Sequence, residues 1–164
     1  MLDDLLAPNL RLVICGTAAS KVSARQGWYY AGPGNKFWRM LDDVGLTERV
    51  LIPKEYRQLL SYGIGLTDVV KGQSGNDNEI DFRRSDPQGV RSKVARYAPG
   101  VLAFNGKRAA QLLLGKSRVE YGLQSKNIGN TSLFVAPSTS GSACRSWNLE
   151  LWKELAEIVR VVPS

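Results

Sequence analysis

Short apolar runs rich in β-branched residues alternate with segments of helical period along this chain, and that alternation limits its fold more than anything else. The runs are 10–15, 64–70, 101–104 and 132–136. Each is too short for a buried helix and fits a strand covered on both faces. Residues 35–44 place Phe37, Trp38, Leu41 and Val44 on one helical face, and Gly45 stops them. Pro53 opens a second helix that reaches Tyr62 before Gly63. Asp86-Pro87 starts a third, running to Tyr97 with Val90 and Val94 inward, and Pro99-Gly100 breaks it. A short helix over 107–114 ends at Gly115, and Asn148 caps a last helix that buries Leu151, Trp152, Leu155 and Val159. Strand–helix alternation predicts an α/β fold, with a mainly parallel sheet covered by helices on both faces. With 164 residues, no internal repeat and no linker, a single domain over 1–164 is expected.

In such folds ligands bind beyond the carboxyl ends of the strands. Two loops leave those ends: 16–36 after the first strand and 137–147 after the last. The first is glycine-rich and carries Tyr29 and Tyr30 among Lys21, Arg25, Lys36 and Arg39. Flat aromatic faces beside cations suit a protein that stacks a base while holding phosphate. The formal net charge of +7 favours a polyanion, and Lys107, Arg108 and Arg145 are expected to extend a basic face near both loops. Arg83 and Arg84 lie in a long polar segment, 71–89, read as a surface loop. The chain has no histidine, which excludes Ser-His-Asp and Cys-His catalysis and the common zinc sites. Cys15 and Cys144 have no metal-like spacing and fit a reduced, cytoplasmic setting. No apolar span suits a bilayer, and the acidic start, Leu2-Asp3-Asp4, lacks the basic flank of a signal peptide. No membrane partner is expected.

Several segments resemble the uracil-DNA glycosylase superfamily, in its mismatch-specific uracil and thymine branch. The likeness begins at the strand–Gly16 junction and runs through Ser23, Gly27 and Tyr30 to Pro33-Gly34-Asn35-Lys36-Phe37-Trp38. It continues in Gly65-Leu66-Thr67-Asp68-Val69-Val70, in Phe104-Asn105-Gly106-Lys107 and in the serine-rich Pro137-Ser138-Thr139-Ser140. The resemblance implies a three-layer α/β/α sandwich that flips a deaminated base from duplex DNA and hydrolyses its N-glycosidic bond without cofactor or metal. By position, Tyr30 would stack on the flipped uracil. Thr17, with the backbone of Gly16 and Ala18, would read the pyrimidine edge, and Ser23 would face its C5 position. Ser138, Thr139, Ser140, Gly141, Ser142 and Arg145 would supply the DNA-inserting loop. Close members carry an asparagine that positions the attacking water two residues after the strand-end glycine; here that place is Ala18. A methyl group cannot hold water. The substitutes are Thr17, Ser20, Ser23, Asn35 and Asp68.

Each candidate also has a plainer reading. Asp68 fits a solvated loop acid, Asn35 a helix cap and Tyr30 a core aromatic, while Phe37 and Trp38 continue a core stripe. Two functions therefore follow. One is a monomeric, monofunctional uracil-DNA glycosylase acting on double-stranded DNA, U·G pairs included. The other is a weakly catalytic or non-catalytic binder of uracil or abasic sites. An enzyme of free nucleotides lacks a phosphate-loop signature. Thymine, hypoxanthine and ethenocytosine stay open as alternative bases.

Overall fold

The computed structural model describes residues 2–162. Five strands form one sheet: β1 (Leu12–Gly16), β2 (Ile64–Asp68), β3 (Val101–Asn105), β4 (Gly122–Ile128) and β5 (Thr131–Ala136), in the order β2-β1-β3-β5-β4. All pairings are parallel except that of β4 with β5. Five α-helices accompany them: α1 (Lys21–Gln26), α2 (Phe37–Asp43), α3 (Pro87–Tyr97), α4 (Lys107–Leu114) and α5 (Leu149–Val161). The α/β architecture agrees with the alternation in the sequence.

Successive side chains of a strand point to opposite faces, so a strand buried on both sides feeds two cores. Leu12 and Ile14 pack with α2 and α5 on one face, around the fully buried Trp152. Val13 and Cys15 pack with α3 and α4 on the other, around Phe104 and Leu113. Asp86 accepts from the Gly89 N–H and Pro87 takes the first helical position, which starts α3 where the sequence places it. Asn148 accepts from the Glu150 N–H in the same way at the start of α5.

The differences are local. Pro53–Tyr62 is a 3₁₀ helix rather than an α-helix, ended by Gly63 at φ 75°. The first loop contains α1, started by the Ser20 side chain and closed by Gly27 at φ 77°. Segment 71–89 includes two 3₁₀ turns, Asp77–Glu79 and Phe82–Arg84, and a bridge from Ser74 to Ala19. β4 was not expected from its sequence: it is an edge strand, mostly exposed, with no apolar alternation to announce it. Residue pairs Gly16–Asp68 and Asn105–Ala136 lie in register, so the carboxyl ends of four neighbouring strands finish along one edge. The chain passes from β1 to β2 on one side and then crosses from β2 to β3 on the other side of β1, which opens a crevice at that edge.

Candidate active site

A cavity of about 540 Å³ fills this crevice. Gly16, Thr17, Ala18 and Ala19 form its floor from the end of β1, and Asp68 and Asn105 enter from β2 and β3. Ser20, Ser23, Tyr30 and Asn35 come from the first loop, and Ser138, Thr139, Ser140 and Ser142 from the last. The two loops touch. The Lys36 N–H donates to the Thr139 carbonyl at 2.9 Å, and the Gly34 backbone lies against Gly141.

Asp68 is the chemically unusual member. It ends a strand and is 5% exposed, so it is not a solvated loop acid. Burial pushes its carboxyl up to about 6, and Asp4 pushes the same way. Lys71, Lys93 and the Gly16 N–H act against them. A carboxylate near 6 is mostly ionised at neutral pH yet basic enough to take a proton. Gly16 makes the approach possible: a Cβ there would stand 2.6 Å from Asp68 Oδ1 and 3.2 Å from Tyr30 Oη. Two oxygens therefore flank one notch at the end of β1.

Tyr30 sits at φ 52°, a left-handed backbone that bulky residues seldom adopt. The turn is held by Trp38, whose Nε1 donates to the Tyr30 carbonyl at 3.2 Å. Its ring stacks on Phe37 at 4.0 Å between centroids, inclined by 23°. Its hydroxyl is buried and has no hydrogen-bond partner among the described residues, and burial makes it a still weaker acid. The nearby Asn105 amide is committed to Thr139: its Nδ2 donates to Thr139 Oγ1 at 3.0 Å, and its Oδ1 accepts from the Thr139 N–H at 2.9 Å. An orphaned buried hydroxyl costs about 1–3 kcal/mol, which a bound water or ligand would return.

Other sequence candidates are placed less directly. Ser23 is buried; its hydroxyl accepts from the Ala31 N–H at 2.9 Å and from the Ser20 hydroxyl at 3.1 Å, holding the turn that carries Tyr30. Asn35 faces the cavity, but it is not the N-cap of α2, which is Lys36; from one position earlier its Oδ1 accepts from the Phe37 N–H at 3.0 Å. Thr17 gives its carbonyl to the Val70 N–H at 2.8 Å and lines the cavity beside Ala18. Thr139 does not suit DNA contact: it is 0% exposed because the Asn105 clasp pulls it inward. Gly141 and Arg145 are exposed, outside the cavity lining. Ser140 and Ser142 hydroxyls bond each other at 2.9 Å at its rim. Phe37 and Trp38 are core residues.

Sequence reading missed Leu2, Asn105 as a clasp, and the wall 75–78. The Asn105-Gly106 pair at a strand end was a usable signal; the wall residues had none, since tertiary contacts alone bring them in. Part of the basic face is neutralised internally, Lys21 by Glu79 at 2.5 Å and Arg108 by Asp77 at 3.8 Å. Lys107 lines the cavity mouth with its ammonium 4.4 Å from the Tyr121 ring.

Fold and crevice together define a doubly wound α/β protein whose site lies where the strand order reverses. The family model of the uracil DNA glycosylase superfamily matches residues 4–158. The chain belongs to that superfamily. Its fold is similar to the solution NMR structure of a Methanosarcina acetivorans protein provisionally described as a uracil DNA glycosylase. The TM-score is 0.62 at 24% identity, over 97% of this chain and 96% of that one.

Proposed function

We propose that residues 1–164 act as one monomeric, cytoplasmic domain: a monofunctional uracil-DNA glycosylase of the mismatch-specific branch. It draws uracil out of duplex DNA into the crevice, stacks it against Tyr30 and hydrolyses the bond from the base nitrogen to C1′. As that bond breaks, its electron pair leaves on the base and the sugar becomes cationic. Backbone N–H groups after Gly16 favour the departing anion. A water oxygen bonds to C1′, and the proton it sheds passes to the Asp68 carboxylate. The negative Asp68 also favours the cationic sugar before the water arrives.

The observation that carries this reading is a buried carboxylate beside an orphaned tyrosine hydroxyl, over a glycine notch in the crevice. It supplies a water site that Ala18 cannot. The test incubates protein in excess with end-labelled duplex carrying a single U·G pair, then cleaves abasic sites with hot alkali. Strand cleavage is expected, lowered by about 10²- to 10⁴-fold in Asp68→Asn. Uncut strand with the wild type refutes the enzyme; full activity in Asp68→Asn refutes the role of Asp68.

Ala18 favours a second reading, a binder of uracil or abasic sites without chemistry. It predicts salt-sensitive preference for abasic over intact duplex and no released base. Installing the amide with Ala18→Asn separates the two. A large gain in excision means chemistry weakened at this position; no gain means that the water is already held elsewhere.

A further inference from the structure

Asp68 lines two hollows. Besides the main cavity there is a second of about 100 Å³, and Leu2, Ala19 and Asp68 border both. Lys71 lines the smaller one. The segment that brings Leu2 there is tied down by an ionic knot. Asp4 accepts from Lys71 Nζ at 2.7 Å, from Lys93 Nζ at 2.5 Å and from Thr67 Oγ1 at 2.7 Å. Lys71 also donates to the Leu2 carbonyl at 3.1 Å, and Tyr29 Oη to the Asp3 carbonyl at 2.9 Å. Backbone bonds between Leu5 and Leu66, 2.9 and 2.8 Å, complete the attachment to β2.

We propose that the Asp4–Lys71–Lys93 knot sets the charge carried by Asp68, making Asp4 and Lys93 positioning residues of the site and residues 2–5 its electrostatic control. The physical reason is charge balance in a poorly solvated place. Two lysines behind Asp68 would hold it firmly ionised, as a weak base. Asp4 cancels much of their field while shielding Asp68 from solvent through Leu2. Asp77, Lys107 and Arg108 share the lining of the main cavity, Arg108 paired with Asp77; three other titratable neighbours of Asp68 carry no charge. Cys15 on β1, and Tyr29 and Tyr30 on the turn, are all kept neutral by burial. Asn105 on β3 is uncharged. Asp4 itself stays ionised: burial works against it, but hydrogen bonds from Lys71 and Lys93 hold its carboxyl below the usual value.

This inference rests on Asp68 being the proton acceptor, and the two claims are separable. Carbon-13 carboxyl NMR of aspartate-labelled protein follows the Asp68 titration directly, its resonance identified by loss in Asp68→Asn. In Asp4→Asn the midpoint should fall by about one pH unit, and in Lys93→Met rise by about as much. Opposite signs are the signature, because loosening the segment would lower the midpoint in both variants. The acid limb of the excision rate should move with the midpoints. Midpoints that move while the limb stays put sustain the tuning and refute Asp68 as acceptor. Midpoints that stay fixed, or move together, overturn the tuning. Should Asp4→Asn fail to fold, Lys93→Met decides alone: a raised midpoint supports the proposal and an unchanged or lowered one overturns it.

Discussion

Replacing Asp68 by asparagine should make this protein more stable at neutral pH while disabling it. The carboxyl rises from an ordinary 3.8 to about 6 on folding, chiefly because burial disfavours its charge. The native state therefore binds this proton more tightly than the unfolded chain does. A group raised in this way adds its full stability below pH 3.8 and loses it as pH climbs through about 6. At 1.36 kcal/mol per pH unit, the ionised carboxylate costs about 3 kcal/mol at pH 7.5. Asparagine has nearly the same shape, keeps an acceptor for the Gly16 N–H and carries no charge to desolvate. Urea unfolding of both proteins from pH 4 to pH 8 measures the difference. Asp68→Asn should gain up to about 3 kcal/mol at pH 7.5, with the gain shrinking as pH falls through 6 and nearly gone at pH 4. A variant less stable than wild type at pH 7.5, or a difference that ignores pH, would refute the reasoning. A stabilised but inactive variant would mark Asp68 as a residue retained for chemistry against the interest of folding.

Three further outcomes follow from the same geometry. Gly16→Ala places a methyl 2.6 Å from Asp68 Oδ1, so excision should be lost, with a stability loss of about 1–3 kcal/mol in urea unfolding. Asn105→Ala removes both bonds of the Thr139 clasp and strands the Thr139 N–H in a dry place. It should cost about 1–3 kcal/mol and raise hydrogen exchange across 137–142. Tyr30→Ala should weaken binding to uracil-bearing duplex by about 1–3 kcal/mol, read by fluorescence anisotropy, and leave binding to undamaged duplex unchanged.

How much was legible in the sequence depended on whether the signal was local. α3 and α4 were placed within a residue, because Asp86-Pro87 and Gly115 act through backbone groups a few positions away. β4 was hidden, because an exposed edge strand needs only a neighbour to bond to; Leu123 points outward at 55% exposure. Residues 53–62 read as a helix, and whether α or 3₁₀ was beyond the pattern, since Pro at the start and Gly at the end suit both. At the site, Tyr30, Asn35 and Asp68 were named from position alone. Their surroundings were not: Asp68 read more readily as a solvated acid, and Thr139 read as a DNA contact.

What the amino-acid order determined by itself is the alternation of strand and helix, the two strand-end loops and the alanine at position 18. Tertiary structure decided which of those residues can do chemistry. A carboxyl group becomes a base only when a sheet buries it, and Asp68 is buried because β1, β2 and a segment some sixty residues upstream converge on it. Proton affinity follows from desolvation and from charges brought together across the chain, and no local spacing encodes either.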